Sequence, residues 1–230
     1  MKILEVKNIS KSFDMKKIID DVSFEIEKGK IVGLLGKNGS GKTTILKMIN
    51  DLLTVDSGEI LVCGKGIGVE SKQLVSFLPE RTYLESDQTV KQVLSFFEEF
   101  YKDFDREKAE KLLKDLDLDE NAKLAKMSKG MKEKVQLVLV MSRRAKLYIL
   151  DEPLGGVDPA TRDHIMQTIL SAFGEDSSLL ITTHLVADIE KILDEVVFID
   201  KGKIVLSGNA DDLRSKENAS INEIFRRKLK

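Results

Sequence analysis

The residues Gly36-Lys37-Asn38-Gly39-Ser40-Gly41-Lys42-Thr43 satisfy the phosphate-loop pattern GxxxxGK[ST] at every defined position. Glycines let successive backbone N–H groups converge on a phosphate without Cβ clash, and a helix N-terminus adds about half a positive elementary charge. Such a loop belongs at a strand-to-helix turn. Ile31 to Leu35 (IVGLL) reads as the buried strand before it, and Thr44 to Ile49 (TILKMI) as the helix it opens. In that setting the loop and Thr44 bind phosphates, Lys42 reaches the β- and γ-phosphates of a nucleoside triphosphate, and Thr43 holds Mg²⁺.

A second constellation closes an apolar strand. Leu147-Tyr148-Ile149-Leu150 delivers the adjacent carboxylates Asp151 and Glu152 at its C-terminal end, where ligands bind in open α/β sheets. One carboxylate suits a hydrated Mg²⁺ and the next suits a water. Asp151 is expected to hold the metal, and Glu152 to polarise a water attacking in line with the γ-phosphate.

The elements that must position these groups follow from hydrophobic period. Residues 3 to 9 and 22 to 26 alternate apolar and polar like half-buried strands, joined by a charged turn around Asp14 to Lys17, and Gly58 to Val62 continues that antiparallel layer. Gly64, Gly66 and Gly68 mark turns, and Leu74 to Leu78 returns a strand to the nucleotide lobe, ending at Pro79-Glu80. Val90, Val93, Leu94, Phe97, Phe100 and Tyr101 then share a helical face, as do Ala109, Leu112, Leu113 and Leu116. A third helix follows Ser128 as its N-cap and carries Met131, Val135, Val138 and Leu139 at i, i+4, i+7 and i+8.

From Leu147 strands alternate with helices: Leu147 to Leu150, a helix near Arg162 to Phe173, Leu179 to Thr182, a helix near Val186 to Leu193, and Val196 to Ile199. That order implies a largely parallel sheet with crossover helices. The closing stretch, Ile221 to Lys230, reads as a short basic amphipathic helix or a frayed tail, with a solvated tail favoured.

Composition sets outer bounds. A chain of 230 residues with 42% hydrophobic and 33% charged residues supports a packed core and argues against disorder. A net charge of −2 gives no global reason to bind nucleic acid. No run approaches the roughly 18 apolar residues that span a bilayer, so the chain is expected to be neither secreted nor self-anchored. Cys63 is the single cysteine, which excludes an internal disulfide and reads as a small core residue.

With both motifs in this order, the sequence resembles the ATP-binding cassette family of ATPases over essentially its full length. The resemblance implies an α/β fold: a P-loop NTPase with a mostly parallel core sheet, an N-terminal antiparallel β subdomain and an inserted α-helical subdomain. It would form one domain over 1–230, with the nucleotide-binding core and β lobe in 1–80 and 145–210, a helical lobe over about 81–144, and a C-terminal tail over 211–230. Met127-Ser128-Lys129-Gly130-Met131 stands where the family has LSGGQ; Ser128 and Gly130 would meet the γ-phosphate bound to a partner subunit. His184 resembles the switch histidine that touches the γ-phosphate and holds the catalytic water, whereas His164, on a surface helix, earns no role. Asp158 matches the aspartate of the family's D-loop although Gly155-Gly156-Val157 replaces its first three residues. Glu80 occupies the position of a Mg²⁺-binding glutamine, and Phe13 that of an adenine-stacking aromatic, usually tyrosine.

The implied activity is hydrolysis of ATP with Mg²⁺ by a subunit of a transporter. It would pair with a second cassette subunit, as homodimer or heterodimer, and dock on separate transmembrane permease subunits at the cytoplasmic face of the membrane. The Leu-Pro-Glu ending at Glu80, the Ser-Lys-Gly-Met signature and the Gly-Gly-Val-Asp loop look like bacterial export-type cassettes, with peptide, antibiotic or lipid-like cargo. The alternative is a soluble cassette ATPase acting on ribosomes or DNA. Against it, Lys42 to Ser128 contains no sustained heptads of a coiled coil, and the chain has one cassette where translation factors usually have two.

Overall fold

The computed structural model describes residues 1–84, 87–155, 157, 159–174 and 176–229. Two sheets lie on either side of the helix that follows the phosphate loop. The first is antiparallel: β1 (Lys2–Phe13) and β2 (Lys16–Glu27) form a long hairpin, β4 (Ser57–Val62) pairs with β1, and β5 (Lys65–Gly66) pairs with β4. The hairpin arms reach well beyond the stretches expected from alternation alone. Asn8, Asp14, Met15 and Asp21 adopt positive φ, and shifts of register break the period of two along β1 and β2.

The second sheet runs in the order β10–β9–β3–β8–β7–β6. Its parallel strands are β3 (Ile31–Leu35), β6 (Val75–Leu78), β7 (Leu147–Asp151), β8 (Ser178–Thr183) and β9 (Glu195–Asp200), while β10 (Lys203–Asn209) is antiparallel to β9. β3, β7 and β8 are buried along their whole length. Parallel strands covered on both faces read as unbroken apolar runs, which is why their sequences show no alternation. The expected α/β class, with an antiparallel sheet ahead of a mostly parallel one, is the fold observed.

Helix α1 (Lys42–Ile49) packs Ile45, Leu46, Met48 and Ile49 between the two sheets. After the short α2 (Val69–Leu74) and β6, the chain leaves the core for α3 (Val90–Phe100), α4 (Arg106–Asp115) and α5 (Lys129–Met141), then returns at β7. Arg143 fastens this excursion to the sheet: its guanidinium donates to the carbonyls of Val75 and Gln73, pairs with Asp103 and lies 4.1 Å from the centre of the Tyr101 ring. Phe100 does not share the buried face expected of it. It is 67% exposed at the end of α3 and stacks on exposed Phe96, because the helix stops there and Tyr101 turns away in an extended conformation.

Helix α6 (Pro159–Ala172) and α7 (Val186–Ile189) complete the crossovers. The C-terminus departs from the solvated tail expected: α8 (Ala210–Glu217) and α9 (Ile221–Lys228) are ordered helices on the core. Ile221 and Ile224 are fully buried, and the Phe225 ring meets Phe198 edge-on at 5.6 Å. Among the described residues no helix is long and apolar enough to cross a membrane.

Candidate functional site

The phosphate loop joins β3 to α1, as its strand–loop–helix pattern requires. Gly36 has no room for a side chain: a Cβ there would lie 2.4 Å from Ser40 Oγ and 2.5 Å from the carbonyl oxygen of Ile199. Gly41 precedes α1 with φ 110°, and its missing Cβ would strike Ile19. No side chain caps α1, so the N–H groups of its first turn, at Lys42, Thr43 and Thr44, have no partner within the helix. These three residues line an open cleft.

Lys42 is 6% exposed. Its Nζ donates to the carbonyls of Gly36 at 2.8 Å and Lys37 at 3.3 Å, and lies 3.7 Å from Glu152 Oε1. Burial pushes this ammonium below its ordinary pKa; the carboxylates of Glu152 and Asp151 pull the other way. Opposite stands Asp151, 1% exposed at the end of β7. Thr43 Oγ1 donates to its Oδ2 at 3.0 Å, and Thr182 Oγ1 to its Oδ1 at 2.5 Å. Burial raises the Asp151 pKa, the two threonine hydroxyls oppose the rise, and neighbouring Glu80 and Glu152 add to it.

Glu152 follows with φ 51°, a left-handed conformation that costs a non-glycine residue free energy and recurs where side chains are aimed for chemistry. Its amide donates to the carbonyl oxygen of Thr182 at 3.0 Å and to Thr182 Oγ1 at 3.2 Å. The carboxylate is thereby held between two groups: Lys42 on one side, and His184 on the other, whose Nδ1 is 2.9 Å and backbone N 3.3 Å from Oε2.

These groups open on one cleft of about 960 Å³, lined by Asn38, Gly39, Gly41, Lys42, Thr43 and Thr44 along the loop and by Glu80, Glu152 and His184 across it. Gly36, Lys37 and Ser40 shape the loop from behind. Ser40 Oγ is buried without a hydrogen-bond partner among the described residues. The donor set suits a magnesium triphosphate: a buried cation, a free helix N-terminus, and the oxygens of Thr43 and Asp151 side by side. Mg²⁺ asks for one or two such protein oxygens and keeps its waters.

Other expected residues lie apart from this cleft. Phe13 sits at the end of β1, 45% exposed, with Lys11 Nζ 5.8 Å from its ring centre. Ser128 caps α5, its Oγ accepting from Met131 N at 3.2 Å; it and Gly130 are exposed and do not line the cleft of their own chain. Asp158 lies outside the described residues. Sequence reasoning gave no role to Thr182, which touches both carboxylate residues. The one available signal was a threonine ending an apolar strand, and only the register that sets Asp151 beside Thr182 turns it into a contact.

Comparison with known proteins agrees with this fold. The sequence model described as ABC transporter matches residues 19–155. ABC transporter ATP-binding protein YtrB of Bacillus subtilis (strain 168) is 35% identical over 217 residues, covering 93% of this chain and 74% of the relative. Linearmycin resistance ATP-binding protein LnrL of the same organism is 32% identical over 222 residues, covering 93% and 71%. A solved structure described as the ATP binding subunit of an ABC transporter superposes with a TM-score of 0.88 at 29% identity, over 98% of both chains.

Proposed function

Because the chain belongs to the ABC transporter family, we propose that it is an ATP-hydrolysing subunit that drives a transporter whose membrane-spanning part is a separate chain. The observation that carries this is the convergence of Lys42, Thr43, Glu152 and His184 on one cleft, with Asp151 buried in hydrogen-bond contact with Thr43. Lys42, held now by two backbone carbonyls, exchanges them for phosphate oxygens. Thr43 and Asp151 are the residues that would hold Mg²⁺, with Glu80 approaching from the opposite wall. Bound there, Mg²⁺ supplies charge neutralisation at the terminal phosphates. Glu152 takes the proton of the attacking water, and His184 fixes that carboxylate and the water beside it.

Ser128 and Gly130 are exposed and do not line the cleft, although Lys129 between them does; that leaves them open to a head-to-tail pair in which each chain completes the nucleotide site of the other. Phe13 offers its ring face to the adenine. Without a spanning helix among the described residues, the chain would work at the cytoplasmic face through permease subunits. The resistance relative and the export-like motifs at Glu80, Ser128 and Gly155 favour outward transport of a peptide, antibiotic or lipid-like compound. The test is steady-state ATP hydrolysis by the purified chain with Mg²⁺, alone and with the membrane protein that copurifies. Turnover that rises faster than linearly with chain concentration is expected, and a chain that binds no ATP would sink the reading.

A further inference from the structure

Gln136 lies on α5 among Val135, Leu137, Val138, Leu139, Val140 and Met141, all buried and apolar, and is itself 2% exposed. Its Nε2 donates to the carbonyl oxygen of Pro79 at 3.4 Å. That contact fixes the orientation of the amide, since the reverse would set oxygen against oxygen. Oε1 is then buried with no hydrogen-bond partner among the described residues. An apolar side chain of the same length would fill the same space and remove this unsatisfied acceptor, at the loss of one long hydrogen bond to a half-buried carbonyl, so stability gives little reason for an amide here.

Its surroundings do. Together with Glu80, Glu133, Asp151, Glu152 and Pro153, Gln136 lines a small cavity of about 30 Å³ behind the phosphate cleft. Its hydrogen bond ends on the residue before Glu80, and its helix begins at Ser128, the N-cap. One amide therefore links the helix that would grip the nucleotide of the other subunit to the loop that presents Glu80 to this one.

We propose that Gln136 is a positioning residue that carries displacement of α5 to the Pro79–Glu80 loop and so sets Glu80 against Asp151 and Glu152. This rests on the hydrolytic reading above. When the N-terminus of α5 is engaged, the helix moves as a rod and the Pro79 carbonyl follows the amide. Oε1, without a partner among the described residues, accepts a donor from the shifted loop.

Gln136→Met tests it, with hydrolysis kinetics, ATP affinity and thermal midpoint read on the same protein. The expected result is kcat about tenfold lower with KM within about twofold of wild type and a midpoint no lower than wild type. A kcat within about twofold of wild type overturns the proposal. So does a joint fall of midpoint and kcat, or a raised KM, either of which marks a merely structural part. If the methionine variant does not fold, Gln136→Asn, which keeps the amide but falls one methylene short of Pro79, is read by the same criteria. A wild-type chain that binds ATP without hydrolysing it removes the functional reading and this one together. A hydrolysing wild type with an unchanged Gln136→Met removes only this one.

Discussion

His184 Nδ1 lies 2.9 Å from Glu152 Oε2, and Lys42 Nζ lies 3.7 Å from the other oxygen of the same carboxylate. Glu152 is thus clamped between a group that can orient it and a cation that a phosphate would draw away. Replacing the carboxylate by an amide keeps the shape and removes the base. Glu152→Gln should lower steady-state hydrolysis by at least about 100-fold while an ATP-bound dimer accumulates, as seen by size-exclusion chromatography with nucleotide. Turnover at the wild-type rate would show that Glu152 is not the base.

The exposed N-terminus of α5 leads to a prediction about two copies. Ser128 caps its own helix through Met131 N, but neither it nor Gly130 lines the cleft of its own chain. Ser128→Arg loses a cap worth about 1 kcal/mol and places a long cation where a second chain would dock. Hydrolysis should stop while ATP binding by the monomer, measured by fluorescence titration, stays within about threefold of wild type, since the docked face lies outside the loop that holds the nucleotide. Loss of monomer binding would mean that Ser128 serves its own site.

How far the sequence foretold this follows from which contacts are local. The phosphate loop and the apolar strand that ends in Asp151-Glu152 were legible because each is a contiguous pattern with one physical reason. β3, β7 and β8 were legible as apolar runs because parallel strands are covered on both faces. Thr182 was not, because its role depends on strand register across 31 residues of chain. Phe100 fits the helical period of α3 but falls at its last residue, where the period no longer dictates burial. β10 is an edge strand with intermediate and exposed positions and no buried apolar run. The sequence of α9 reads as a solvated tail because Arg226, Arg227 and Lys228 dominate its composition, while Phe198, which receives its Phe225, is 27 residues away.

Asp151 carries the pH dependence. Burial raises its pKa above the ordinary carboxylate value of 3.8, so the folded chain holds this proton more tightly than the unfolded one. The stability contributed by this group is fully present below about pH 3.8 and is lost as pH rises through the higher folded value. At neutral pH the nucleotide-free chain therefore lacks the stability that this group contributes at low pH. Asp151→Asn should raise its thermal midpoint at pH 7 by roughly 2–4 °C, and the advantage should shrink as pH falls toward 4. Stabilisation by magnesium nucleotide should be lost in the same variant. Calorimetric scans across pH check both, and a variant less stable at pH 7 by a margin independent of pH would refute the account.

Helix α9 supplies the last prediction. Ser220 and Glu223 form a reciprocal cap at its start, Asn222 N donates to Glu190 Oε2 at 2.9 Å, and Ile221 and Ile224 are fully buried. The basic residues Arg226, Arg227 and Lys228 lie on the exposed side. Ile224→Asp puts a carboxylate without a partner into an apolar contact and should cost about 3–5 kcal/mol in urea unfolding. A solvated tail would tolerate the change within about 0.5 kcal/mol. Because α9 packs on α7, which begins two residues after His184, loosening it should also slow hydrolysis in the chain that remains folded. The order of effects distinguishes brace from tail: with a brace, activity declines at temperatures below the global unfolding midpoint of the variant, and with a tail the two coincide with wild type.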